Sequence, residues 1–313
     1  MIEWYHWTAF LGGVALLLAA DLGVFHRDAH EIPMREALTW TSVWVGIALA
    51  FAGLVWLWLG GRAAGEFVAG YLIEWSLSAD NVFVFILVFT HFAVPRAYQH
   101  RVLFWGVVGA IALRLGFVLA GAALLERFDW LIYVFGAILL LTAIRFLRAE
   151  STRPVKQRLV VRAVRRALPM TDSYRDQHLI VREDGRRLAT PLLAVLLVIE
   201  LADVVFAIDS IPAIFAITRT TFIVFSANAL AILGLRSLSF VLSGAMSRFH
   251  HLRFALAALL TFVGLKMVLS GFLHISAGIS LGAIAAILTA GVVSSLIADR
   301  RGEGKERGRA APR

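Results

Sequence analysis

Cysteine is absent from this 313-residue chain. That removes disulfides and thiolate metal sites from consideration and leaves the redox compartment open. Charged residues are scarce, 16% of the chain against 60% hydrophobic. A soluble domain is nearer a quarter charged and half apolar, so a surface wetted all round is excluded. Also missing is a basic segment ahead of the first apolar run, because the chain opens MIEWYHW. A cleavable signal peptide is therefore not expected, and the first run is long enough to stay in a membrane.

What the chain has instead is apolar length. Nine stretches, roughly 7–25, 40–59, 67–90, 102–125, 130–147, 191–217, 220–243, 254–273 and 277–298, are long and mostly apolar. Runs of about 18 or more such residues cross a bilayer as helices. None shows the two-residue alternation of an outer-membrane barrel strand. The fold expected is an all-α polytopic membrane protein of about nine transmembrane helices.

The net charge of +9 does not point to nucleic acid, because its distribution is that of a membrane topology. With nine helices and an outside N-terminus, the inside segments 26–39, 93–101, 148–190, 244–253 and 299–313 carry 23 Lys and Arg. The outside loops carry three, Arg62, Arg127 and Arg219. Positive residues near helix ends stay inside, so the N-terminus is expected outside and the C-terminus in the cytoplasm. The basic excess also suits contact with anionic lipid. The nine tryptophans, among them Trp4, Trp7, Trp40, Trp56, Trp58 and Trp130, cluster at span ends as interfacial anchors.

The chain divides into two helices (1–64), a three-helix unit (65–147), a basic loop (148–190), a second three-helix unit (191–275), a last helix (276–298) and a tail (299–313) expected to be disordered. In the loop, VKQRLVVRAVRRAL sets Val155, Leu159 and Ala163 on one helical face and Arg158, Arg162 and Arg166 on another, as at a membrane surface. HLIVREDGRRLAT reads as two short strands flanking Asp184-Gly185, a pair favoured in tight turns. The two three-helix units resemble one another. Shifting the first by 129 positions lays Glu74 on Asp203 and Asp80 on Asp209. Arg114 in LRLGFVL corresponds to Arg236 in LRSLSFVL, and Gly136 to Gly264. An odd number of helices per copy makes helices 3–5 and 6–8 an inverted repeat of the kind found in transporters.

Five carboxylates, Glu74, Asp80, Glu200, Asp203 and Asp209, fall inside expected spans. Insertion scales put each at about 2.5–3.5 kcal/mol at a helix centre, so five unpaired would cost roughly 12–17 kcal/mol. Partner arginines, shared protons or a bound cation must offset that. Residues six apart on a helix point about 120° away from each other and lie about 9 Å apart along the axis. Glu74 and Asp80, or Asp203 and Asp209, therefore form a ladder at different depths, or their helices are interrupted near the acid. Pro212 favours interruption, since it lacks an N–H and frees the carbonyl of Ile208 beside Asp209. Freed carbonyl, carboxylates and the Asn81 amide would make an all-oxygen shell, which suits a hard divalent cation such as Mg²⁺, Ca²⁺ or Mn²⁺. The competing reading is a structural ion-pair network in which Arg114, Arg236 and Lys266 neutralise the acids; the two can coexist.

Other candidates are Asp21, interfacial or lining a cytoplasmic vestibule, and Asn228 in helix 7, a ligand or a helix–helix hydrogen bond. His91, His100, His250 and His251 sit at cytoplasmic helix ends, without the clustering that zinc or copper would need. An intramembrane aspartyl protease would pair two Asp residues, but the Gly-x-Gly-Asp pattern of such enzymes is absent. No catalytic residue and no cofactor is expected.

The segments EWSLSADNVFVF, ELADVVFAIDSIPAIFAIT, NALAILGLRSLSF and VREDGRRLATPL closely resemble the signature segments of the TerC family of bacterial integral membrane proteins, in the right order over roughly residues 65–275. The resemblance implies a place in the bacterial inner membrane and a fold with inverted three-helix repeats. It implies that Glu74, Asp80, Asn81, Glu200, Asp203 and Asp209 form the cation site; the residue reading adds Arg114, Arg236, Asn228, Lys266 and Pro212 in support. Alx-type members are associated with manganese export, which makes Mn²⁺ the expected cargo, with Ca²⁺ and Mg²⁺ left open. Other relatives are linked to tellurite resistance or to supplying metal to secreted proteins, which implies membrane-protein partners instead.

Overall fold

The computed structural model describes residues 2–20, 33–147, 169–183, 186–245, 252–272 and 275–309. Among them are nine α-helices: α1 (Trp4–Ala20), α2 (Met34–Leu59), α3 (Gly61–His91), α4 (Arg96–Arg127), α5 (Leu131–Leu147), α6 (Pro191–Phe215), α7 (Thr221–Ala245), α8 (Leu252–Val268) and α9 (Ala277–Arg309). Two short strands, β1 (Ile180–Glu183) and β2 (Arg186–Ala189), pair antiparallel with Ile180 opposite Ala189 and Glu183 opposite Arg186. Asp21, His250, His251, the stretch from Val155 to Arg166 and the Asp184-Gly185 pair lie outside the described residues.

Among the described residues, five helices are long and apolar enough to cross a membrane: α2, α4, α6, the part of α7 from Thr221 to Leu242, and the part of α9 from Gly278 to Ser295. Shorter apolar helices lie in α1, α5 and α8. This is a multi-pass membrane protein. Lipid offers no hydrogen bonds, so each span must satisfy its backbone internally, and the helix is the form that does so. Element ends follow local chemistry. Pro191 opens α6, where a missing N–H costs nothing. Gly60, at φ 87°, separates α2 from α3 with one residue; its N–H still reaches the carbonyl of Trp56 at 2.9 Å. A side chain there would be strained.

Two expectations change. Neither acidic helix is interrupted: α3 runs unbroken through Glu74 and Asp80, and α6 runs through Pro212 to Phe215. Pro212 removes one bond close to the helix end, and its own carbonyl accepts from Ala216 at 3.0 Å, so the last turn holds. The acids form the ladder. The tail expected to be disordered is helical to Arg309. Extending a formed helix adds a hydrogen bond per residue without a new nucleus, and this continuation passes Gly302, Gly304 and Gly308 in spite of their poor helix propensity.

Helix α7 lies at the centre, buried on nearly all sides from Phe222 to Ser239. It packs on α2, α3 and α4. The pairing is symmetric under exchange of α3–α5 with α6–α8. Helix α3 packs on α7 as α4 packs on α6; α3 meets α6, α4 meets α7, and α5 meets α8. The α5–α8 contact is reciprocal: a Cβ on Gly136 would lie 3.0 Å from the carbonyl oxygen of Gly264, and one on Gly264 would lie 3.0 Å from that of Gly136. Close backbone approach through small residues is how helices associate in lipid. Gly136→Leu should therefore destabilise the purified protein by about 1–3 kcal/mol through overpacking. Gly46→Leu, where nothing lies within 4 Å, should not. Thermal unfolding of both variants in one detergent checks this.

Candidate cation site

Arg114 on α4 is fully buried, and every described partner of its guanidinium is buried with it. Two nitrogens grip Asp203 on α6: Nε donates to Oδ2 at 3.1 Å and Nη2 to Oδ1 at 2.8 Å. Nη1 turns the other way and donates to Glu74 Oε1 on α3. The same Nη1 lies 3.1 Å from Ser210 Oγ on α6 and 3.1 Å from Asn228 Oδ1 on α7. Asn228 Nδ2 donates to the second Glu74 oxygen at 3.1 Å. One guanidinium thus ties four helices together. Its planar fork makes this possible, since a lysine ammonium could not hold two carboxylates from opposite edges.

Small cavities flank this cluster. The first, between α3, α4, α6 and α7, is mainly apolar but includes Asp203 and Arg236. The second, between α3, α5, α6 and α8, is lined by Glu74, Asn81, Thr142, Asp209 and Ser210 among apolar neighbours. Asp203 and Asp209 face different cavities, as their six-residue spacing on an unbroken helix requires. Asp209 Oδ1 accepts a hydrogen bond from Thr142 Oγ1 at 2.9 Å. Asn81 is 2% exposed, and its Oδ1 has no hydrogen-bond partner among the described residues. A buried carbonyl-type oxygen left unpaired is costly. The second cavity therefore presents two carboxylates, an amide oxygen and two hydroxyls, all of them oxygen donors of the kind a hard divalent cation takes.

The expected site is only partly assembled. Glu74, Asn81 and Asp209 share a cavity, and Glu74 and Asp203 share Arg114. Among the described residues no three His, Asp or Glu side chains form a ready metal centre. Glu200 stands apart: it lines neither cavity and packs its carboxylate over Gly109 on α4, in the space a Cβ would fill. Its Oε2 is buried without a hydrogen-bond partner among the described residues. Asp80 lies on α3, and its side chain is outside the described residues.

Among the supporting residues, Arg114 and Asn228 join the cluster directly. Arg236 lines the Asp203 cavity. Lys266 does not reach the central acids. Its Nζ donates to Ser280 on α9 at 2.8 Å and lies within electrostatic reach of Glu66, which Arg62 binds at 3.0 Å. Sequence reasoning missed Ser210 and Thr142. Each carried a faint signal, a lone hydroxyl in an apolar run beside or facing an acid.

The sequence pattern of the integral membrane protein TerC family matches residues 59–303. The chain belongs to the TerC family. The chain is 48% identical over 295 residues to the uncharacterized membrane protein STKORF319 of Myxococcus xanthus, covering 94% of this chain and 92% of that protein. It is 44% identical over 292 residues to an Escherichia coli K12 protein with "membrane-bound redox modulator Alx" in its name, covering 90% and 91%. An uncharacterized membrane protein of Rickettsia bellii is 35% identical over 292 residues, covering 93% and 97%. No solved structure matches the chain.

In this TerC protein the central cluster is also a folding element. Arg114→Met should cost about 3–5 kcal/mol, because it leaves two buried carboxylates unneutralised. Adding Glu74→Gln and Asp203→Asn to the same chain should recover much of that loss. The folded fraction after detergent extraction, read by size exclusion, checks both.

Proposed function

We propose that this TerC protein is a secondary transporter that exports divalent metal cations from the cytoplasm, with no catalytic reaction of its own. The observation that carries this reading is the α3–α5–α6–α8 cavity inside the apolar bundle, lined by Glu74, Asp209 and the Asn81 oxygen, which has no hydrogen-bond partner among the described residues. Two ionised carboxylates match the charge of a dication, and the amide and hydroxyl oxygens replace part of its water shell. Mn²⁺ is the first candidate cargo, by the resemblance to Alx-type members. The donor set accepts Ca²⁺ or Mg²⁺ as well. Protons are a natural counter-ion, since the same carboxylates take either.

The reading includes an inner-membrane location, nine spans with the N-terminus outside, and an inverted repeat of α3–α5 and α6–α8. Supporting the repeat are the exchange-symmetric helix pairing and the reciprocal Gly136–Gly264 contact. In such a carrier one repeat moves against the other around a fixed site near mid-membrane. The Arg114 clamp joins the repeats at that point.

The neutralisation of Glu74 and Asp203 by Arg114 favours a second reading, a membrane partner that supplies metal to secreted proteins without carrying it. Lacking cysteine, such a partner would join redox processes only through other molecules or ions. Purified protein in liposomes separates the two. A carrier moves Mn²⁺ unaided, and Asp209→Asn lowers that flux by roughly tenfold or more, since even outer-shell changes cost about 10–100-fold in metal affinity. Wild-type liposomes that move no more Mn²⁺ than empty ones would favour the partner.

Topology is checked directly because the background contains no thiol. Arg62→Cys should react with an impermeant maleimide on intact cells. Arg175→Cys should react only after permeabilisation.

A further inference from the structure

We propose that Arg114 is a tethered stand-in for the transported cation, holding Glu74 when no cation does and so allowing the unloaded carrier to return across the membrane. This rests on the transport reading above and concerns the half of the cycle that carries no cargo.

The geometry distinguishes the two carboxylates. Asp203 is held by two nitrogens, Nε and Nη2, and faces the cavity opposite the candidate site. Glu74 is held through Nη1 alone on the arginine side and lines the cavity shared with Asn81 and Asp209. Nη1 has two further acceptors, Ser210 Oγ and Asn228 Oδ1. When Glu74 turns to a cation, the guanidinium keeps Asp203, Ser210 and Asn228, and the one donor the move releases is the Asn228 amide Nδ2. Asp203 is the anchor, and Glu74 is the exchangeable arm.

The charges close on this arrangement. With a dication held by Glu74 and Asp209, and Arg114 on Asp203, the central charges cancel. Without the dication, Glu74 returns to Arg114, which then shares its one positive charge between two carboxylates. If position 114 were neutral, the unloaded centre would carry one more negative charge in a low-dielectric bundle, where desolvation cost climbs steeply with charge. Neutralising position 114 adds the same single negative charge to both centres, but the unloaded one already carries an excess. The return of the unloaded carrier should therefore slow far more than the passage of the loaded one.

The experiment uses the full chain in proteoliposomes with radioactive Mn²⁺. Net efflux into metal-free buffer requires the unloaded return. Exchange of internal for external Mn²⁺ does not. For Arg114→Gln the expected result is net efflux reduced roughly tenfold or more, exchange close to wild type, and tighter Mn²⁺ binding, since a charged competitor for Glu74 is gone. Arg114→Lys keeps the charge but not the fork, and covers the case in which the glutamine variant does not fold. It should spare exchange and slow net efflux less than the glutamine variant does, because the charge stays and only the two-carboxylate fork is lost. Equal loss of efflux and exchange in the folded variants, or wild-type net efflux without the guanidinium, overturns the proposal. If wild-type protein shows neither flux, the transport reading fails first and takes this one with it.

Discussion

A single buried guanidinium, shared between carboxylates from two different helices, is the interaction on which the rest of this bundle depends. Glu74 and Asp203 could not stay charged at this depth alone. Arg114 could not either, being fully enclosed. Together they form a satisfied network, closed by Ser210 and Asn228, in which every hydrogen bond also joins one helix to another. Lipid supplies little hydrophobic drive for helices to associate, so close packing and interhelical polar bonds carry more of that task. The cluster therefore positions α3, α4, α6 and α7, while the glycine contact does the same for α5 and α8.

The position of the candidate cation site follows from helix geometry. An unbroken helix cannot aim two acids six residues apart at one point. Asp203 is accordingly spent on Arg114, and Asp209 looks into the next cavity with Glu74 of α3 as its neighbour. Carboxylates converge across helices rather than along them. Asn81, two turns beyond Glu74 on α3, reaches the same cavity with an oxygen that has no partner among the described residues. Glu200 shares a face with Asp203 by its three-residue spacing, yet its carboxylate is taken up against Gly109.

Much of this was legible in the sequence because membrane helices announce themselves by apolar length and their acids by cost. Glu74, Asp203 and Arg114 stood out for that reason, and Gly136 and Gly264, which the sequence set in matching positions, lie in contact. Less legible was anything decided by side-chain direction. Lys266 looked like a neutraliser of the acids, but its ammonium leads to Ser280 on α9. Pro212 looked like a break, but so near a helix end a proline removes one bond and no more. Thr142 and Ser210 were hidden because a lone hydroxyl in a span usually bonds its own backbone. Ser76 and Thr261 do so, to the carbonyls of Leu72 and Ala257.

The most direct measurement of the central claim is anomalous diffraction from crystals grown with manganese. The account predicts a peak in the cavity between α3, α5, α6 and α8, ligated by Glu74, Asp209 and the Asn81 oxygen, with Arg114 kept on Asp203 alone. Manganese bound elsewhere, or no peak in that cavity at saturating metal with Arg114 still joined to both carboxylates, would contradict it.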